Sequence, residues 1–168
     1  MPTYTQIGSA VSVGVLGAAT IDFTAIPATF TDLVLKVSAR VGGTNTAYKV
    51  NFNGLTTNLN SRLLYGTGSA AASGTEASKV DDYAGVTIAT YTANTFSNSE
   101  IYIPNYAGSN NKSLSIDGVT ENNATASLAN FTSGLWSASA AITQITLTPE
   151  SGSFVQYTTA YLYGVSNA

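Results

Sequence analysis

The chain has neither cysteine nor histidine, and charged residues fill only 9% of its 168 positions. Without cysteine there are no disulfides, no thiolate metal ligands and no cysteine nucleophile; the redox compartment stays open, because such a chain is at home on either side of a membrane. Without histidine there is no Ser-His-Asp triad, no Cys-His pair and no zinc site of the usual ligand types. The six basic residues, Lys36, Arg40, Lys49, Arg62, Lys79 and Lys112, are scattered, and the net charge is -3. Phosphate tracking needs a basic stripe, so nucleic acid is not an expected partner. No apolar run approaches the ~18 residues of a membrane helix. The start, Met1-Pro2-Thr3-Tyr4, lacks the basic residues of a secretory signal, and Val11 to Ala19 is short and interrupted by glycine. Neither a membrane nor a cofactor is expected.

What the chain does have is a 44% hydrophobic share diluted by Thr, Ser, Asn and Gly. Thr suits a pleated, half-exposed surface, while Asn, Ser and Gly supply turns. Period-2 alternation dominates. In Asp32 to Arg40, Leu33, Leu35 and Val37 share one face and Val34, Lys36, Ser38 and Arg40 the other. Tyr48 to Asn53 repeats the pattern into the turn signal Asn53-Gly54, and Glu100 to Pro104 is a short strand that proline ends. Lys112 to Gly118 alternates into Asp117-Gly118, read as a turn. Ser127 to Trp136 reads as a strand broken by Gly134. Ala141 to Thr148, Phe154 to Val165, Thr3 to Ile7 and Thr20 to Phe23 complete the set.

About eight to ten short strands with regular turn signals predict an all-β fold, a single antiparallel β-sandwich of jelly-roll type with two four-stranded sheets. One domain, 1–168, is expected. Residues 1–17 read as an N-terminal arm or an edge strand followed by a loop. Residues 66–85 read as a long flexible surface loop with a helical turn around Glu76 to Tyr83.

Candidate chemistry reduces to carboxylates and tyrosines. Paired carboxylates hydrolyse glycosides, and the candidates are Asp81-Asp82, Glu100, Asp117 and Glu121. Adjacent residues of an extended strand point apart, so Asp81 and Asp82 are read as a solvated loop pair. The oxygen-rich segment Asp117 to Asn123 is the best place for a calcium ion, although it lacks the acidic spacing of a calcium loop. Gly66 to Gly74 does not spell a phosphate-binding motif, because Ala71 stands where the third glycine would be. Asn111-Lys112-Ser113, Asn123-Ala124-Thr125 and Asn130-Phe131-Thr132 match the glycosylation pattern, which arises readily by chance in so Asn- and Thr-rich a chain. Among the aromatics, Trp136 is assigned to the core. Tyr157, Tyr161 and Tyr163 are placed on one face of the last strand as a subunit interface, in preference to a sugar-stacking platform. The chain is therefore expected to be a structural or binding component and not an enzyme.

Ile26 to Leu35, Val50 to Gly54, Leu64 to Gly66, Glu100 to Tyr106, Gly134 to Trp136, Ile142 to Leu147 and Tyr161 to Val165 together resemble small virion proteins of tailed bacteriophages, including cyanobacterial phages. The resemblance runs over nearly the whole chain. It implies a jelly-roll-like β-sandwich, often homotrimeric, that either decorates the capsid or sits at a fibre tip. With no coiled-coil stalk in this sequence, it implies a capsid decoration or cement protein made in the host cytoplasm, with itself and the major capsid protein as partners. The alternative it implies is a tail-fibre tip that recognises a host surface glycan.

Overall fold

The computed structural model of the chain describes residues 1–83, 85–121 and 127–166. In chain order the strands are β1 (Thr3–Gln6), β2 (Val11–Ser12), β3 (Ile21–Phe23), β4 (Asp32–Ala39), β5 (Tyr48–Phe52), β6 (Leu59–Gly66), β7 (Ala71–Glu76), β8 (Asp81–Asp82), β9 (Ser97–Pro104), β10 (Lys112–Thr120), β11 (Leu128–Trp136), β12 (Ile145–Pro149) and β13 (Thr159–Ser166). The described residues contain no helix. A nine-stranded sheet runs β1-β13-β4-β9-β10-β11-β6-β7, with β2 also on β13, and a four-stranded sheet runs β3-β12-β5-β8. Neighbours pair antiparallel throughout. This is the expected all-β sandwich, with its strands split nine and four instead of four and four.

Alternation decides which side of each strand is buried. Leu33, Leu35 and Val37 of β4 point into the core, with Ile101 and Ile103 of β9 and Leu114 and Ile116 of β10 beside them. Val50 and Phe52 of β5 and Ile145 and Leu147 of β12 close the core from the smaller sheet. Trp136 is wholly buried, as assigned, with its ring 5.5 Å from that of Phe52. The Asn53-Gly54 turn has positive φ at both residues (52° and 69°), the geometry that suits a tight hairpin.

Several expectations are corrected. Residues 66–85 are not a long loop with a helical turn: β7 pairs with β6 from Ser61↔Glu76 to Gly66↔Ala71, and β8 is buried beside β5. Small residues hid β7, because an edge strand exposed on both faces needs no hydrophobic alternation. Residues 3–6 form the opposite edge, paired along β13 of the same chain, which is the edge-strand reading of the N-terminal segment. Asp117-Gly118 is not a turn but the interior of β10, and Gly134 does not break β11. Arg40 serves the fold by donating to the carbonyl oxygens of Tyr91, Thr92 and Thr95 at 3.0, 2.8 and 3.1 Å.

Gly164 shows why a glycine stands inside β13. A Cβ there would lie 2.2 Å from the Phe30 ring. Gly164→Ala is therefore expected to destabilise the protein by about 1–3 kcal/mol. A thermal melt checks this, and adding Phe30→Leu should recover part of the loss.

Candidate functional site

Two places gather chemistry: the outer face of the nine-stranded sheet, and a buried polar cluster beneath its inner face. The outer face follows from the register. Tyr161, Lys36, Glu100, Asp117, Phe131, Leu64 and Ser73 form one row across seven strands. The neighbouring row is Tyr163, Val34, Tyr102, Ser115, Ser133, Arg62 and Thr75.

The β13-β4-β9 side of this face is tyrosine-rich. Val34 is buried although it points outward, lying in register between Tyr163 and Tyr102. Tyr4 packs edge-on to Tyr163 at 6.5 Å, and Tyr102 donates to Asp32 Oδ2 at 2.9 Å. The Asp32 carboxylate beside it raises the Tyr102 pKa, with burial adding to the effect. A groove of about 500 Å³ runs over this half, lined by Tyr161, Tyr163, Lys36, Glu100, Asn98 and Asp117 among others. Lys36 and Glu100 form an exposed ion pair at 2.7 Å. Tyr157 does not join Tyr161 and Tyr163. It precedes β13 with φ of 72° and is 66% exposed. Thr158 is the buried residue there, and its Oγ1 bonds both N and O of Arg40, so the chain kinks at Tyr157 before the strand begins.

The β10-β11-β6 side is apolar. Leu64, Phe131 and Val119 are 60%, 47% and 41% exposed, with Leu64 and Phe131 in register and Val119 in the adjoining row. It is bordered by Asp117 on β10 and Arg62 on β6.

The buried cluster sits where β8 crosses under β10 and β11. Asp81 and Asp82 are fully buried, not solvated, and they do point apart. Asp81 Oδ2 meets Lys79 Nζ at 2.8 Å, and the same ammonium meets Glu150 Oε1 at 2.8 Å. Asp82 Oδ1 accepts from Asn130 Nδ2 at 2.8 Å. Beside it the Tyr48 hydroxyl reaches across the sandwich to Ser99 Oγ at 2.6 Å. Gly118 makes the room: a Cβ there would fall 2.6 Å from Asn130 Oδ1 and 2.8 Å from Asp82 Oδ1. The glycine that reads as a turn marker thus marks a close approach. Burial drives the Asp82 pKa up to about 6, against the opposing pull of Ser99, Asn130 and Tyr48.

The chain matches no family model, no curated protein and no solved structure. What it can do is therefore argued from these side chains. Glu100 and Asp117 do face each other in register, but on an open face with Glu100 tied to Lys36. Among the described residues no three acidic side chains group as a metal site. Of the oxygen-rich segment, Asn122 and Asn123 lie outside the described residues, as does the Asn123-Ala124-Thr125 match. Asn130 of the third glycosylation match is buried in the cluster above.

No simple sequence pattern carried the signal for the buried pair. One clue was available: an Asp-Gly inside an otherwise unbroken alternating run, which is as compatible with a close approach as with a turn.

Proposed function

We propose that this protein is a bacteriophage virion structural protein, a jelly-roll-like decoration module that binds the assembled head and stabilises it. The observation that carries the reading is the uncovered outer face of the nine-stranded sheet, where Tyr4, Tyr102, Phe131, Leu64 and Val119 stand exposed. Half-wet tyrosines and an apolar patch with few charges suit contact with another protein surface, since little charge must be desolvated. The resemblance of its sequence strings to small phage virion proteins supplies the particle. Five of the six basic side chains are engaged through Glu100, Glu150, Asp81 and carbonyls distant in the fold, and the sixth, Arg62, only through its neighbour's carbonyl, which supports a protein partner over nucleic acid. Decoration works by binding only the assembled shell, so mass action favours that state, and many copies turn modest contacts into avidity.

A second reading, recognition of a host surface glycan at a fibre tip, is favoured by one feature. The groove beside Tyr161 and Tyr163 combines aromatic rings with the carboxylate, amide and hydroxyl groups that bind sugar hydroxyls.

Gold-labelled antibody electron microscopy on intact virions of the phage encoding this chain tests both. Label spread over the heads is the expected result. Label confined to the tail end would replace decoration by the receptor reading, and no label on any particle would overturn both.

A further inference from the structure

We propose that two copies of this chain pair face to face through the outer surfaces of β10, β11 and β6, with Phe131 against Phe131 and Arg62 of each copy on Asp117 of the other. The inference takes nothing from the virion reading but shares its surface: Phe131, Leu64 and Val119 are covered in the pair, which leaves the Tyr4 and Tyr163 side of the sheet for any further partner.

The first observation is an unbalanced pair of charges. Asp117 lies directly opposite Glu100 across β9 and β10, an arrangement that destabilises a sheet when nothing neutralises it. Lys36 neutralises Glu100, but no ion pair among the described residues includes Asp117. Arg62 is the complementary case. It is exposed on β6, pairs with no carboxylate among those ion pairs and, among the described residues, donates only to the carbonyl oxygen of Ser61 at 3.1 Å. Each sheet thus carries one unmatched cation and one unmatched anion on the same face, on the two strands that flank β11.

The second observation is what lies between them. Phe131 sits on β11 in register with Asp117 on one side and Leu64 on the other. A two-fold axis parallel to β11 in the plane between the sheets places β10 of one copy over β6 of the other. Phe131 then meets its own equivalent, and Asp117 stands over Leu64 of the second copy. Arg62 is two residues along from Leu64, about 7 Å, a distance its side chain spans to reach Asp117. In the adjoining row Val119 falls over Gly66, where the absence of a side chain leaves room for it. A groove of about 460 Å³ lined by Arg62, Leu64, Thr75, Phe131 and Ser133 runs along the β6 side of this surface, where β10 of the second copy lies. A surface that matches itself under a two-fold rotation is the requirement for an isologous dimer, and closure leaves no further copy of the face to recruit.

Light scattering after size exclusion, with sedimentation velocity over a dilution series, reads the result on the full chain. A dimer is expected. Arg62→Glu sets two acids against each other and Asp117→Arg two bases, so each should weaken dimerisation at least about tenfold. Combining Arg62→Glu with Asp117→Arg in one chain restores opposite charges, and this double variant should return the dissociation constant to within about threefold of the parent. Both positions are exposed, and unchanged melting of each single variant confirms that folding is intact. A monomer at tens of micromolar, a trimer, or a double variant as weak as the singles would each overturn the pairing. A dimer whose virions bind no gold label would leave the pairing standing and remove both virion readings.

Discussion

Lys79→Met is expected to lower the unfolding free energy at pH 7.5 by about 2–3 kcal/mol, less than for a fully buried ion pair because the ammonium keeps some contact with water while Asp81 has none. Lys79 Nζ lies 2.8 Å from both Asp81 Oδ2 and Glu150 Oε1, and 3.7 Å from Glu76 Oε2, so one ammonium serves three carboxylates. Burial works against that ammonium, yet hydrogen bonds to Asp81 and Glu150 outweigh it and hold the lysine pKa above its usual value. Asp81 is the partner most exposed to the loss. Burial already raises its pKa even with Lys79 beside it, and the side chain has no access to solvent. Methionine keeps the aliphatic stem and deletes only the charge. The deficit should shrink at pH 4.5, where protonation removes the uncompensated negative charge. Urea unfolding at the two pH values checks this. Adding Asp81→Asn to Lys79→Met should recover much of the loss at pH 7.5, because the carboxylate left behind is then absent. A deficit of equal size at both pH values would locate the effect in packing and not in charge.

Asp82→Asn is expected to act in the opposite direction, stabilising the protein at pH 7.5 by up to about 3 kcal/mol. The folded pKa is about 6 against an ordinary value of 3.8, so the native state holds its proton more tightly than the unfolded chain does. The sign follows from linkage. This group's stabilising contribution is fully present below about pH 3.8 and is lost as pH rises through about 6. Asparagine keeps an acceptor for Asn130 and cannot ionise. The two proteins should therefore unfold at similar urea concentrations near pH 4 and diverge above pH 6. Comparing the pair cancels the carboxylates that act the other way, such as Glu150. Burial pushes its pKa up, but Lys79 and Lys49 hold it below the usual value. A variant less stable than the parent at pH 7.5 would mean that the carboxylate's hydrogen bonds outweigh its desolvation.

The two aspartates show where reading a sequence stops. Adjacent strand residues point to opposite sides, and that geometric expectation holds for Asp81 and Asp82. Their solvation was a different matter, because burial depends on what covers a strand. Here β8 slides between β5 and the inner face of β10 and β11, segments distant in sequence. Likewise Gly118 and Gly134 carry no local mark separating a close approach from a turn or break. The atoms they admit, from Asp82, Asn130, Val80 and Leu114, arrive only on folding. Tyr161 and Tyr163 share a face as two-residue spacing requires, while Tyr157 was lost to a kink set by Thr158 and Arg40.

By itself the sequence determined the all-β class, the inward faces of the long strands, the burial of Trp136 and the Asn53-Gly54 turn. Each follows from local rules: side chains alternate, large apolar groups leave water, and only certain residues accept positive φ. Tertiary structure alone decided the nine-and-four division of strands, the pairing of the apolar-poor β7, the burial of Asp81 and Asp82, and the meeting of Arg62, Phe131 and Asp117 on one face. Those depend on register between strands far apart in the chain, and register is a property of pairs of segments that no single segment carries.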